Sequence, residues 1–321
     1  MNIIRMSGGL GNQMFQYALY MKLKSLDREV KFDDINEYRS ERSRPIMLAV
    51  FGITYPRATW DEITAFTDGS MDIRKRIRRK LFGRRAIEYE EQGIFDPKVL
   101  EFESMYLKGA FQSERYFADI QDEIRKLYRF PDIDTMHLPG KLYWATRNCQ
   151  TEIESCEAVG VHMYRSDSRR DSELYEGICT EKYYEGAVRL IQDTVSDARF
   201  YIFSNEPKWV KGWVDNLIDS QLKAGMSKEN IKAMRERFIM VESNTEYTGY
   251  LDMLLMSKCK HNIISNSSFS WWPAWLNDNP GKVVIAPDRW KNNVESYDVY
   301  TDDMILVDAE GNVKGRRPKG V

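Results

Sequence analysis

The sequence predicts an α/β protein made of two Rossmann-like domains, and three observations carry that prediction. At 321 residues the chain exceeds what one hydrophobic core serves comfortably, so two cores are expected. From about residue 157 onward, short apolar runs alternate with helix-length amphipathic stretches, the pattern of a parallel sheet with helices on both faces. The opening MNIIRMSGGLGNQMFQYALYMK joins a short apolar strand to an amphipathic helix through a glycine-rich turn, the start of a βαβ unit.

In chain order, residues 2–5 are the first strand. Residues 12–26 form the first helix, because Met14, Tyr17, Ala18 and Met21 recur on one face, and residues 29–32 form the second strand. Residues 40–150 are less regular; they hold the basic run DIRKRIRRKLFGRR, the segment YLKGAFQSERYF and a helix over 120–128. Beyond them AVGVHMY is a strand, Thr180 caps a helix reaching residue 190, and RFYIFSN and FIMVES are strands. A helix over 246–259 follows, then the strand HNIIS, the short helix SFSWWPAWL and KVVIAP as the last strand. The expected domains are residues 1–150 and 151–321. Ligands of such a sheet bind at the carboxyl ends of its strands, which places 164–167, 204–206, 242–244, 265–268 and 287–288 around one crevice.

Composition narrows the function classes. A net charge of −2 with 30 % charged residues argues against a general nucleic-acid binder. No apolar run is long enough to span a membrane and residues 1–20 carry no signal-peptide pattern, so a cytoplasmic protein is expected. Cys149, Cys156, Cys179 and Cys259 form no Cys-x-x-Cys pair and the chain has only 3 histidines, so neither a disulfide framework nor a structural zinc site is expected.

GGLGNQ fits the dinucleotide fingerprint at Gly9 and Gly11 but puts Met14 at the third glycine position. With Asp33 as ribose ligand at the second strand tip, it supports an NAD-dependent oxidoreductase as the alternative reading. No Lys-Ser or Lys-Thr follows the loop, so it is not a Walker motif. Asp132-Ile133-Asp134 follows Pro131 and reads as a surface turn, not a metal ligand pair. Asn266, Ser267 and Ser268 stand between a strand and a helix start, a ready anion site. Trp271, Trp272 and Trp275 share a helix face and read as core, and His162, inside a strand, as a structural residue. The basic run spaces Ile73, Ile77 and Leu81 every four residues, an amphipathic helix expected to pack its apolar stripe and solvate its cations. Peripheral contact of residues 74–85 with an anionic membrane is the other use of such a helix.

The strings GGLGNQMFQYA, YLKGAFQSERYF, VHMYRSD, GICTEKYYEGA and YLDMLLMSKCKHNIISNSSFSWWPAWL together resemble the bacterial α-1,2-fucosyltransferases, over residues 1 to about 290. The resemblance implies a GT-B arrangement, two Rossmann-like domains facing across a cleft, with the C-terminal one holding the nucleotide sugar. It implies transfer of L-fucose from GDP-L-fucose to the 2-hydroxyl of a galactose, with inversion and no metal or other cofactor. Lactose or a lipid-linked glycan would then be the acceptor.

The family's strand-tip motif, His-x-Arg-Arg-x-Asp, matches His162, Arg165 and Asp167, with Tyr164 in place of the first arginine. That arginine is the family's expected phosphate ligand, so Arg165, or Arg169 or Arg170 from the next loop, is expected to take the contact. On this reading Gly9, Gly11, Asn12 and Gln13 approach the donor from the N-terminal domain. Ser204, Asn205, Glu242, Asn266, Ser267, Ser268 and Phe269 complete its site, with Asp252 a further candidate for ribose or guanine. Asp171 and Glu173 are the candidate bases, and Asn12 joins Arg165 near the reacting sugar. The loss at Tyr164 leaves a catalytically weak sugar-nucleotide-binding protein as a further alternative.

Overall fold

Residues 1–37, 44–165, 173–242, 244–245 and 247–316 are described in the computed structural model. They divide into two units, Met1–Arg129 and Phe130–Val321, each built on its own sheet.

In the first unit, β1 (Asn2–Arg5) lies parallel to β2 (Val30–Asp33) on one side and to β4 (Tyr106–Lys108) on the other. β3 (Glu88–Glu90) completes the sheet parallel to β4, giving the order β2-β1-β4-β3. Helix Leu10–Ser25 links β1 to β2 and is buried on nearly every side; of the expected face Met14, Tyr17 and Ala18 are inside and Met21 is half-buried. Helix Gln121–Leu127 stands where 120–128 predicts one. Helix Ile73–Phe82 also forms, started by Asp72, whose carboxylate accepts from Arg74 N and Lys75 N. Its apolar stripe, however, is exposed and not packed. Arg78 and Arg79 turn to Asp68 instead and hold the opposite side of the helix to the protein.

In the second unit, β5 (Ala158–Met163) lies inside a seven-stranded sheet. β6 (Arg199–Ser204) and β7 (Phe238–Val241) extend the sheet on one side of it; β8 (His261–Ile263) and β9 (Val284–Pro287) extend it on the other. KVVIAP is not the last strand. β10 (Met304–Val307) pairs parallel to β9, and β11 (Val313–Arg316) pairs antiparallel to β10 through a tight turn. Helix Gly140–Glu154 also belongs to this unit, packed on helix Tyr250–Lys258. The division therefore falls at Arg129/Phe130, ahead of the boundary expected at residue 150. Val159, Val161, Tyr183, Phe200, Ile202 and Trp213 fill the core. Trp271, Trp272 and Trp275 are buried, as their spacing predicts.

Candidate functional site

Counted from β5, the parallel strands of the second unit run 3-2-1-4-5-6, so the order reverses between β5 and β8. The crevice outside the carboxyl ends at such a reversal is where a doubly wound sheet takes its ligand. Both chain segments leaving these two ends belong to the motifs singled out above. His162 Nδ1 and Ser265 Oγ stand 2.8 Å apart and tie the strand ends together. The His162 ring stacks against Tyr164, with centroids 6.0 Å apart, and lies 5.3 Å from the ring of Phe269.

Support comes from helix Glu181–Thr194, whose N-cap Thr180 accepts from Tyr183 N at 3.2 Å. Tyr184 donates its hydroxyl to the His162 carbonyl at 3.1 Å, and Tyr183 donates to the Ile264 carbonyl at 2.6 Å. One helix thus buttresses both sides of the reversal. His162 joins the two strand ends through Ser265.

At the end of β8, helix Ser268–Leu276 begins, with Ser267 as N-cap accepting from Phe269 N at 3.3 Å. The positive end of the helix therefore stands at the carboxyl edge of the sheet, where an anion is stabilised. Asn266 is a correction: it does not offer its amide to a ligand. Its Oδ1 accepts from the Cys179 thiol at 3.3 Å and its Nδ2 donates to the Trp290 carbonyl at 3.2 Å. Burial pushes the Cys179 thiol up to about 12, so it remains a protonated donor to Asn266.

Arg165 follows β5. Asn205 accepts from its backbone N–H at 3.1 Å and donates to its carbonyl at 2.8 Å, so this predicted ligand instead pins the arginine loop. The guanidinium lies 3.8 Å from the centre of the Trp209 ring, and Trp209 Nε1 donates to Glu181 at 2.8 Å. Ser204 accepts from Glu206 N at 3.0 Å. Glu242 is a second correction. It follows β7, two strands from β5 and thus roughly 10 Å away, where it is exposed and paired with Lys211 at 3.1 Å.

Asp252, in the first turn of helix Tyr250–Lys258, accepts from the Asn244 amide. Burial pushes its carboxyl up to about 7, against the lowering effect of that hydrogen bond. The folded pKa exceeds the ordinary value of 3.8, so between those limits the folded chain keeps a proton the unfolded chain releases. The stability this group contributes is therefore full below about pH 4 and is lost as pH climbs through 7. Asp252→Asn keeps the acceptor and removes the buried charge. At pH 8 the variant should melt above wild type, by about 2–4 °C per kcal/mol recovered, and the gap should close near pH 4. A variant that melts lower at pH 8 would contradict this account of Asp252.

In the first unit, GGLGNQ follows β1, where the order of that sheet also reverses. Gly8, with φ of +73°, is the glycine the turn requires, and a Cβ there would meet Asn12 Nδ2 at 2.4 Å. Gly9 is the helix N-cap, and its carbonyl accepts from Asn12 N and Gln13 N. Gly11 is buried in the first helical turn. Asn12 Oδ1 accepts from Gln112 at 2.8 Å. Gln13 is a third correction: it is fully buried, with Nε2 donating to the Gly8 and Pro45 carbonyls and Oε1 accepting from Met47 N. It builds the loop and presents no amide.

Asp33 is fully buried and accepts from Ile35 N, Asn36 N, the Asn36 amide and the Tyr106 hydroxyl. No lone pair is left for a ribose, which removes the support for the NAD reading. Asp132 accepts from Asp134 N at 3.0 Å and Asp134 from the Tyr143 hydroxyl at 2.8 Å, so the Asp-x-Asp is a turn, as expected. Among the described residues no group of three or more His, Cys, Asp or Glu is placed to hold a metal ion. Glu173 is exposed and its carbonyl accepts from Asn292 at 3.2 Å. Asp167, Arg169, Arg170 and Asp171 lie outside the described residues. Trp209 and Glu181, beneath Arg165, escape sequence reasoning, although GICTEKYYEGA already contains Glu181.

Comparison with known proteins gives the family. The family described as Glycosyl transferase family 11 matches residues 89–305, more than half of the chain. The chain is 29% identical over 313 residues to the O-antigen biosynthesis glycosyltransferase WbnK of Escherichia coli, covering 89% of this chain and 93% of that protein. It is 26% identical to an alpha-1,2-colitosyltransferase of Escherichia coli, covering 95% of this chain and 98% of that one. It is 24% identical to a galactoside 2-alpha-L-fucosyltransferase of Caenorhabditis elegans, covering 92% of this chain and 74% of that one.

Proposed function

Because the chain belongs to glycosyl transferase family 11, we propose that it transfers L-fucose from GDP-L-fucose to the 2-hydroxyl of a galactose-containing acceptor. The observation that carries the reading is the strand reversal between β5 and β8, where a helix N-terminus and Arg165 supply positive charge at one sheet edge. The second unit then holds the donor, with its diphosphate at Ser267, Ser268 and Arg165. The first unit, through Gly8, Gly9 and Asn12, serves the acceptor side.

In the reaction the acceptor oxygen attacks the anomeric carbon and the bond to the diphosphate breaks with inversion. GDP leaves with the bonding electron pair. The hydroxyl proton passes to a carboxylate of the loop holding Asp171 and Glu173. Fixed cations and backbone amides stabilise the departing charge without a metal. On this reading Tyr164, stacked on His162, packs the strand tip, and the phosphate contact falls to Arg165. The four cysteines are free thiols, which fits a reaction in the cytoplasm. The natural acceptor is a galactose-terminated oligosaccharide, with lactose as its soluble stand-in. A colitosyl donor is the second reading, favoured by the name of one relative.

GDP binding tests the donor site. GDP should raise the melting temperature of wild type and NAD should not. In Ser267→Ala/Ser268→Ala the GDP shift should shrink strongly, while loss of the Ser267 cap itself costs only about 1 kcal/mol. An undiminished GDP shift in the double variant would reduce the serine turn to a helix cap.

A further inference from the structure

Helix Ile73–Phe82 is turned inside out relative to an ordinary surface helix. Successive residues rotate by about 100°, so Ile73, Ile77 and Leu81 share one side while Arg78 and Arg79 occupy the other. The arginine side faces the protein. Arg78 pairs with Asp68, and Arg79 donates to the Asp68 and Ser70 carbonyls, each at 2.7 Å. Arg85 N, just past the helix, donates to the same Asp68 carboxylate at 2.9 Å, and Arg84 pairs with Glu88 at 2.7 Å. These anchors fix the roll of the helix and leave its apolar side outward. Ile73 is 72% exposed, Ile77 55% and Leu81 69%.

Isolated apolar side chains at a surface need no explanation, but a row of them held outward by arginines does. Arg74 and Lys80 border the row on either side and Arg76 lies beyond Lys80, all three exposed. An apolar stripe bordered by cations matches an anionic bilayer, whose headgroups meet the cations while the aliphatic side chains enter the acyl boundary. A second copy of the chain would bring the same cations together and repel. Nucleic acid would leave the apolar row wet.

We propose that helix Ile73–Phe82 docks the first unit on an anionic lipid surface, lying in the plane of the membrane. No helix among the described residues is long and apolar enough to cross one, so the contact is peripheral. The surface stands on the helix geometry alone and does not depend on the donor chemistry. If the functional reading holds, docking brings the enzyme to lipid-linked glycans.

The test is sedimentation of the full chain with vesicles of equal parts phosphatidylcholine and phosphatidylglycerol, against vesicles of phosphatidylcholine alone. Binding to the anionic vesicles should be at least about tenfold stronger and should weaken with salt. Ile77→Ser/Leu81→Ser and, separately, Arg74→Glu/Lys80→Glu should each lose most of that binding. Both pairs are exposed, so circular dichroism and transfer to a soluble acceptor should be unchanged. Equal binding to both vesicles, no binding to either, or full binding by either double variant would overturn the proposal. So would concentration-dependent dimerisation, lost in Ile77→Ser/Leu81→Ser, without vesicle binding. A chain that binds anionic vesicles but transfers no sugar would leave this surface standing and refute only the proposed activity.

Discussion

Arg165→Ala is expected to lower kcat/KM for fucosyl transfer by about 10²–10³ while the protein stays folded. The size of the loss is that of removing one fixed donor from a charge that grows in the transition state. Leaving-group charge is largest there, so kcat should fall at least as clearly as donor affinity. The fold is spared because the guanidinium is exposed and its packing is confined to the Trp209 face, a contact worth about 0.5–1 kcal/mol at such a site. Trp209→Ala is the informative partner variant. It removes the stack and leaves the cation, so it should cost positioning and a fraction of the rate. If Arg165→Ala loses only stability, and Trp209→Ala reproduces that loss, the arginine is a packing residue and the phosphate contact belongs elsewhere. Steady-state kinetics with paired melting curves separates the two.

Gly186→Ala should destabilise the second unit by about 3 kcal/mol or more, beyond the usual cost of one added methyl group in a packed interior. Gly186 lies on helix Glu181–Thr194, where an added Cβ would stand 2.3 Å from the Gly311 carbonyl oxygen and 2.6 Å from its Cα. Gly311 is at φ +83°, and its own Cβ would meet the Lys182 carbonyl at 2.5 Å. Both obstacles are backbone, so no side chain can turn aside. The turn between β10 and β11 is tied to this helix start by Thr180, which donates to the Ala309 carbonyl, and by the Lys182–Glu310 pair. Pushing the turn away would also disturb Tyr183 and Tyr184, which hold both sides of the strand reversal. Gly212→Ala is the control. It lies on helix Pro207–Lys223 with nothing within 4 Å of the added Cβ, so it should gain up to about 1 kcal/mol. Equal melting temperatures for the two variants would contradict the close approach.

Much of the second unit is legible because its elements obey simple periods. AVGVHMY, RFYIFSN and FIMVES are apolar runs of strand length, and Thr180 starts a helix through its side chain. The same rules fail where tertiary partners decide the outcome. MILV at β10 is too short to declare itself, and β11, VKGR, is exposed at the sheet edge with little apolar pattern. Helix Pro207–Lys223 is missed, and with it Trp209, whose role comes only from the approach of Arg165 across the strand ends.

Glycine motifs are legible as turns, but not for which glycine bears the strain. Gly9 and Gly11 fit the fingerprint, whereas Gly8 takes the positive φ. Polar motif residues mislead for a related reason. Gln13 and Asn266 are amides at the right places, yet Gln13 is consumed by Gly8, Pro45 and Met47 and Asn266 by Cys179 and Trp290. Asp33 has the position of a ribose ligand and the hydrogen bonds of a structural carboxylate. The stripe on helix Ile73–Phe82 is correctly periodic. Asp68, with Ser70 and Glu88, decides which side faces out.

Mass spectrometry and linkage analysis of the products formed by wild type from GDP-L-fucose and lactose test the central claim most directly. The account predicts fucosyl-lactose with the new bond at the 2-hydroxyl of galactose, formed at the same rate in excess EDTA as with magnesium. A chain that binds GDP yet transfers no fucose under either condition would contradict it.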